Sequence, residues 1–354
     1  MQEISLQNFE KDIFNIKEYI KHISLVDKIE SSNRDIDTES LKEFCEHIHS
    51  FSTGKKIFEY KAIVISLYGI LEKYINNWVK EHTELLPHLA KKYDDLPEKI
   101  RKKHFDLSIR LISLVSENRL SKYEYLQKED ILINLSSCLD SSFPYTLNGE
   151  AFTPFSGNLK HQKIVDAFNN LDIDLFGTLK TNSGLKELWA EEYGNNIESR
   201  GSELFSIIDD LVARRNDISH GVNIDDILNI TRFSEYIEFL EHYGIAIFEA
   251  ILEKEIEYES KYIFEKIENI KNVFNSSILC FEIENSHIKV GDYIIVQANN
   301  RFIKKEIVSI EVNKESVDDM FFNKKTDIGV NLGKGITENQ VFYIKKYNKK
   351  LLAI

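Results

Sequence analysis

Apolar residues recur every three or four positions over most of the chain. Within residues 1–30 they stand at Phe9, Ile13, Ile16, Tyr19, Ile20, Ile23 and Val26, the spacing of one helical face. A polar break, "ESSNRDIDTES", follows, and Thr38 with Leu41, Phe44, Cys45 and Ile48 predicts the start of a second, short helix. The strongest helical pattern covers 56–82. It is apolar around most of its circumference between Ile63 and Leu71, so it is expected at the centre of a bundle. Pro87 and Pro97 bound a short connector, and 100–117 is again helical. "FPYTLNGEAFTPFSGN" (143–158) reads as an ordered loop, because prolines, glycines and small polar turn formers crowd it. Further helices are expected over "LKHQKIVDAFNNLDI" and over 202–219. A long one follows from Asn223 to about Val273, through Phe233, Ile237, Leu240, Tyr243, Ile247, Ile251 and Ile256.

Near 275 the period changes. "SSILCFEIENSHIKVGDYIIVQANNRFIKKEIVSIEVN" alternates, is rich in Ile and Val, and is cut by the turn signals "ENS", "VGD" and "ANN". "TDIGVNLGKGI" and "QVFYIKKY" continue the pattern. Six or so short strands in this space predict a small closed antiparallel barrel. The chain thus reads as α+β and multidomain: an all-α bundle over 1–273, then a β-barrel over 274–354.

Composition narrows the functional classes. With 42% hydrophobic residues and only four prolines in 354, the chain has material for a large core and little for loops. The formal charge of −13 argues against a general nucleic-acid coat, which needs cations to displace counterions from phosphate. The charge is uneven, however. Residues 300–354 hold eleven Lys/Arg against seven Asp/Glu, a net +4, which leaves −17 on the rest. Cys45, Cys138 and Cys280 lie far apart, forming neither a disulfide framework nor a zinc ribbon, and fit a reducing cytoplasm. No apolar run approaches the roughly 20 residues of a membrane span. No membrane contact and no cofactor or metal is expected.

The chemistry concentrates in "LVARRNDISHGV" (211–222). Arg215 and His220 are five apart, about 140° on an ideal helix, so they come together only if the helix ends near Ser219 and His220 swings back. Gly221 stands where such a break is needed. Asn216 and His220, four apart, are neighbours without it. An arginine offers a planar fork of donors to phosphate and keeps its charge; a histidine exchanges protons at cellular pH. Together with Asn216 they suit RNA cleavage in which the 2′-hydroxyl is the nucleophile. One imidazole serves one proton transfer, so a homodimer is expected, with a pair of copies sharing the work. Arg214 and Ser219 belong to the same cluster as supporting or RNA-binding residues. Glu72, inside the apolar helix, needs a partner if it is buried, and Arg214 or Arg215 is the candidate; a partly solvated carboxylate is the alternative.

"IIDDLVARRNDISHG" resembles the signature of HEPN domains, helical bundles whose R-x4–6-H motif marks many ribonucleases. "ISLYGILEKYINNWV" (65–79) is similar to the early buried helix of that family with its embedded glutamate. "LPEKIRKKHFDLS", "LSSCLDSSFPYTLNGEAF" and "SGNLKHQKIVDAFNNLDID" resemble the intervening pieces of its RiboL-PSP-related branch, over roughly 55–225. The resemblance implies an α-helical dimer with a cleft at its two-fold axis and metal-independent RNA cleavage leaving a 2′,3′-cyclic phosphate. It implies Arg215 and His220 as the catalytic pair and Asn216 as an orienting residue. Val222 stands where relatives paired with nucleotidyltransferase antitoxins carry a tyrosine, which argues against regulation by nucleotide transfer. "IKVGDYIIV" and "DIGVNLGKGI" are similar to the second-domain barrel of translational GTPases such as elongation factor Tu, and imply an RNA-presenting role.

The expected function is a HEPN endoribonuclease acting on RNA, with tRNA or ribosomal RNA as the expected class. Its expected setting is a toxin or phage-defence effector, with an antitoxin or other regulatory protein as a further partner. The competing reading is a non-catalytic HEPN module that holds RNA, a nucleotide or a protein, and the −17 on residues 1–299 favours it. Other signals are weaker. "STGKK" (52–56) lacks the spacing of a phosphate loop, "GKG" (333–335) reads as a turn, His47 and His49 point to different helix faces, and "KKYNKK" (345–350) reads as a solvated tail, with contact to a phosphate backbone as the alternative.

Overall fold

The computed structural model describes residues 2–31, 39–117, 123–140, 144–154, 158–194, 200–222, 226–299 and 301–346. Thr38, Asn223 and the last four residues of "KKYNKK" lie outside them. Contacts divide the chain into two units, residues 1–87 with 92–250 and residues 88–91 with 251–354.

Helix α1 (Gln2–Ser31) follows the first apolar repeat and buries Phe9, Ile13, Ile20 and Ile23. Helix α2 (Glu39–Leu89) departs from the expected pair of helices: it runs unbroken for 51 residues and carries Pro87 within its last turn. Gly54 lies between the two expected helices, and one glycine inside a helix costs only about 1 kcal/mol relative to alanine. Here it serves packing, since a Cβ at Gly54 would lie 2.5 Å from the Phe51 ring. The continuity also places "STGKK" inside a helix, where no phosphate loop can form. Pro97 caps α3 (Glu98–Ser116).

Between α3 and the motif come α4 (Lys128–Ser137), the single turn α5 (Gly149–Phe152), α6 (His161–Asn170), α7 (Leu175–Thr181) and α8 (Ser183–Tyr193). A 3₁₀ turn, Ser202–Phe205, leads into α9 (Ser206–Ser219), and α10 spans Ile230–Tyr262. In the helical unit α1, α2 and α10 share an aromatic core. The Phe9 ring lies 5.3 Å from Tyr74 and 5.4 Å from Trp78, and Trp78 lies 5.6 Å from Phe248. Gly244 admits this approach, because a Cβ there would sit 2.2 Å from Phe9. The segment 144–152 is ordered by a buried polar network. The Asn148 backbone N–H donates to His104 Nε2 at 3.0 Å, and its amide donates to Ser108 Oγ and the Ile131 carbonyl.

In the second unit, α10 ends at Tyr262 and strands begin earlier than the pattern predicts. β1 (Phe264–Lys266) and β2 (Ile270–Phe274) occupy residues read as helix. Ile263, Ile267, Ile270 and Val273 keep a helical spacing, yet they are β-branched and fit a pleated surface equally well. There follow β3 (Ile278–Ile283), β4 (Ser286–Lys289), β5 (Tyr293–Ala298), β6 (Arg301–Glu306), β7 (Ser309–Val312), β8 (Glu315–Val317), β9 (Asp319–Phe322), β10 (Thr326–Asn331) and β11 (Val341–Lys345). All pairings are antiparallel, in the orders β1-β11-β5-β6, β2-β3-β10-β7-β8 and β4-β9. The sheet-rich region agrees with the expected barrel, although among the described residues the ladders do not join into one ring. Their inward residues still build one core, with Phe281, Ile288, Val296, Phe322, Val330 and Phe342 drawn from all three sheets. "VGD" and "GKG" form turns, with Gly291, Gly333 and Gly335 at positive φ. No helix among the described residues is long and apolar enough to cross a membrane.

Candidate active site

Helix α9 buries Ile208, Leu211 and Val212, the three-to-four spacing of one face, and so turns its polar residues away from the core. Its end is defined by backbone bonds. The Gly221 N–H donates to the Ile218 carbonyl at 3.3 Å and the Val222 N–H to Asp217 at 3.0 Å, while Gly221 adopts φ +68°. This pairing is the Schellman arrangement, which stops a helix where glycine takes a left-handed conformation. His220 is thereby the C-cap, its N–H bonded to the Asn216 carbonyl at 2.9 Å and its side chain exposed. Ser219 spends its hydroxyl on the Arg215 carbonyl at 2.9 Å.

The two adjacent arginines have different surroundings. Arg214 Nε donates to Asp210 Oδ2 at 2.6 Å. Its Nη2 reaches Asp226 Oδ2 at 3.0 Å, and its Nη1 reaches the Tyr60 hydroxyl at 3.2 Å and the Asp226 carbonyl at 3.1 Å. Tyr236 donates to the same Asp210 oxygen. Burial works against the Arg214 charge, but Tyr60, Asp210 and Asp226 outweigh it and raise the pKa further. The carboxylates that take Arg214 are thus Asp210 and Asp226 rather than Glu72. Arg215 instead lies over the Tyr68 ring, 4.7 Å from its centroid, and donates from Nη1 to Asn216 Oδ1 at 3.2 Å. Glu72 is half-buried one turn beyond Tyr68. After burial, its charge is the main influence keeping the Tyr68 phenol protonated, against a Leu159 backbone bond and the Arg215 cation.

The segment 158–161, which carries no motif of its own, binds α9 at two points. Asn158 Oδ1 accepts from the Asn216 amide at 2.9 Å, and the His161 backbone N–H donates to Asp209 Oδ1 at 2.9 Å. The His161 ring stacks on Phe205 at 3.8 Å, with Nδ1 3.0 Å from the Tyr243 hydroxyl. Burial pushes His161 down to about 4, against the pull of Asp209, and burial alone pushes His104 down to about 4.

Both rings are neutral in the fold, so between about pH 6.5 and 4 the unfolded chain binds more protons than the folded one. Stability is complete above that window, falls as pH drops through it, and levels off below. Each ring accounts for a loss of order 3 kcal/mol. Urea midpoints measured at about pH 7, 5.5 and 4 check this. The part lost above about pH 5 belongs to the histidines, because ordinary carboxylates titrate lower and the raised Glu59 and Glu253 add stability as the pH falls; a flat profile there would contradict it.

A cation backed by an aromatic ring, an amide beside it and an exposed imidazole on the next turn can hold a phosphate and move a proton near it. Against the curated proteins the chain finds no match. Against protein-family models, residues 32–253 match RiboL-PSP-HEPN, a wider span than the 55–225 that the motifs mark, ending before the first strand. Well over half of the chain is covered, and the chain belongs to the RiboL-PSP-HEPN family.

Proposed function

We propose that the chain is an endoribonuclease that cuts RNA by attack of a 2′-hydroxyl on the adjacent phosphodiester. The 2′ oxygen bonds to phosphorus, the P–O5′ bond breaks, and the products carry a 2′,3′-cyclic phosphate and a 5′-hydroxyl. Arg215 bonds the phosphoryl oxygens as charge builds on them, and Asn216 orients Arg215. His220 moves the proton. One imidazole takes the 2′ proton and a second supplies one to O5′, so the working unit is a homodimer with two His220 side chains at one phosphate. The strand-rich unit presents the RNA, with tRNA as the proposed substrate, and the setting is a toxin or phage-defence effector restrained by a regulatory protein.

One observation carries this reading: α9 stops so that His220 is exposed as its C-cap, while among the described residues carboxylates occupy Arg214 but not Arg215. The test is incubation of the purified protein with total RNA in the presence of EDTA. The expected result is discrete fragments with cyclic-phosphate ends. Intact RNA bound by the protein would instead support the non-catalytic module.

A further inference from the structure

We propose that Tyr68 is a positioning residue of this site: its ring is the platform that fixes the plane of the Arg215 guanidinium, so that the cation meets phosphate with its N–H edge. The inference deepens the endoribonuclease reading and rests on it for its kinetic consequence.

Tyr68 is 2% exposed, so its ring is held by the core of the helical unit. The 4.7 Å from the Arg215 Cζ to the ring centroid lies inside the roughly 6 Å range of cation–π attraction. A guanidinium covered on one face bonds through its edge, where its donors lie. That edge has a second restraint in the chain Arg215–Asn216–Asn158, with steps of 3.2 and 2.9 Å. The remaining guanidinium N–H groups have no protein acceptor among the described residues. The platform is tied to the same segment, since Tyr68 bonds the backbone of Leu159, next to Asn158.

The contrast with Arg214 gives the physical reason. Carboxylates hold Arg214 by neutralising it, and they would compete with a phosphate for the same donors. A π face attracts the cation without consuming its charge or its N–H groups. It holds Arg215 in place and leaves it available.

Tyr68→Phe keeps the face and Tyr68→Leu removes it. The phenylalanine variant is expected to cleave RNA within about threefold of the unaltered protein, and the leucine variant to lose about tenfold in kcat. KM should change little, because a misaligned cation still attracts the polyanion. In an Arg215→Lys background, whose ammonium has no plane to align, Tyr68→Leu is expected to cost less than about twofold. A leucine variant as fast as the unaltered protein, or equal losses in both backgrounds, would overturn the proposal.

A second measurement does not depend on cleavage. The Arg215 Nε–Hε resonance, assigned as the one missing from Arg215→Lys, should be shifted by the ring current in the unaltered protein and in Tyr68→Phe, but not in Tyr68→Leu. If the unaltered protein cuts no RNA, the endoribonuclease reading falls and this resonance alone decides the platform. An unmoved signal in the leucine variant defeats it.

Discussion

Replacing His220 by alanine is expected to lower RNA cleavage by about 10³-fold while leaving the unfolding curve in place. The imidazole is exposed, and the residue's contribution to the fold is a backbone N–H that alanine also has. Stability should therefore move by less than about 0.5 kcal/mol, the usual range for a surface substitution. Acid–base catalysis is worth about 10²–10⁴-fold, and in a symmetric dimer the substitution removes the acid and the base together. Single-turnover cleavage in EDTA measures the first quantity and urea unfolding the second. An excess of variant subunits mixed with unaltered ones should also suppress activity, because mixed dimers keep only one imidazole. Cleavage within about threefold of the unaltered protein would remove His220 from the mechanism.

The parts of this site that could be read in the sequence are local ones. Gly221 ends α9 through bonds that span six residues, so the break and the exposure of His220 follow from a short stretch. Asn216 beside Arg215 is equally local. What escaped notice depends on contacts between distant segments. Tyr68 looked like one more core residue of an apolar helix, and only the packing of α9 on α2 turns its face to Arg215. Asn158 sat in a stretch read for its turn residues, 58 positions before the amide it accepts from. The joining of two expected helices into α2 was hidden because a helix breaker weighs little against a long apolar face. The early strands β1 and β2 were hidden because isoleucine at helical spacing is ambiguous.

Arg214→Ala and Arg215→Ala, one residue apart, are expected to fail in opposite ways. Arg214 gathers Asp210, Asp226 and Tyr60 around one guanidinium, joining α9 to α2 and to the chain that leads into α10. Removing it leaves the half-buried Asp210 facing Tyr236 without a cation, so a loss of about 2–3 kcal/mol in stability is expected. Asp226 is largely exposed and adds little to that figure. Arg215 touches a neutral ring and a neutral amide, and among the described residues its removal leaves no charge unpaired. Its loss is expected to cost under about 1 kcal/mol in stability and at least about 10²-fold in cleavage, the size of effect seen when a group that stabilises developing charge is deleted. Urea unfolding and cleavage, measured on both variants below the temperature at which Arg214→Ala begins to melt, separate the two roles. The folded fraction of Arg214→Ala should cleave within about tenfold of the unaltered protein, as expected of an arginine whose donors are bonded to Asp210, Tyr60 and Asp226. If the two substitutions instead moved stability and cleavage alike, the division between an anchoring cation and a working one would fail, and the case for Arg215 as the phosphate ligand would fail with it.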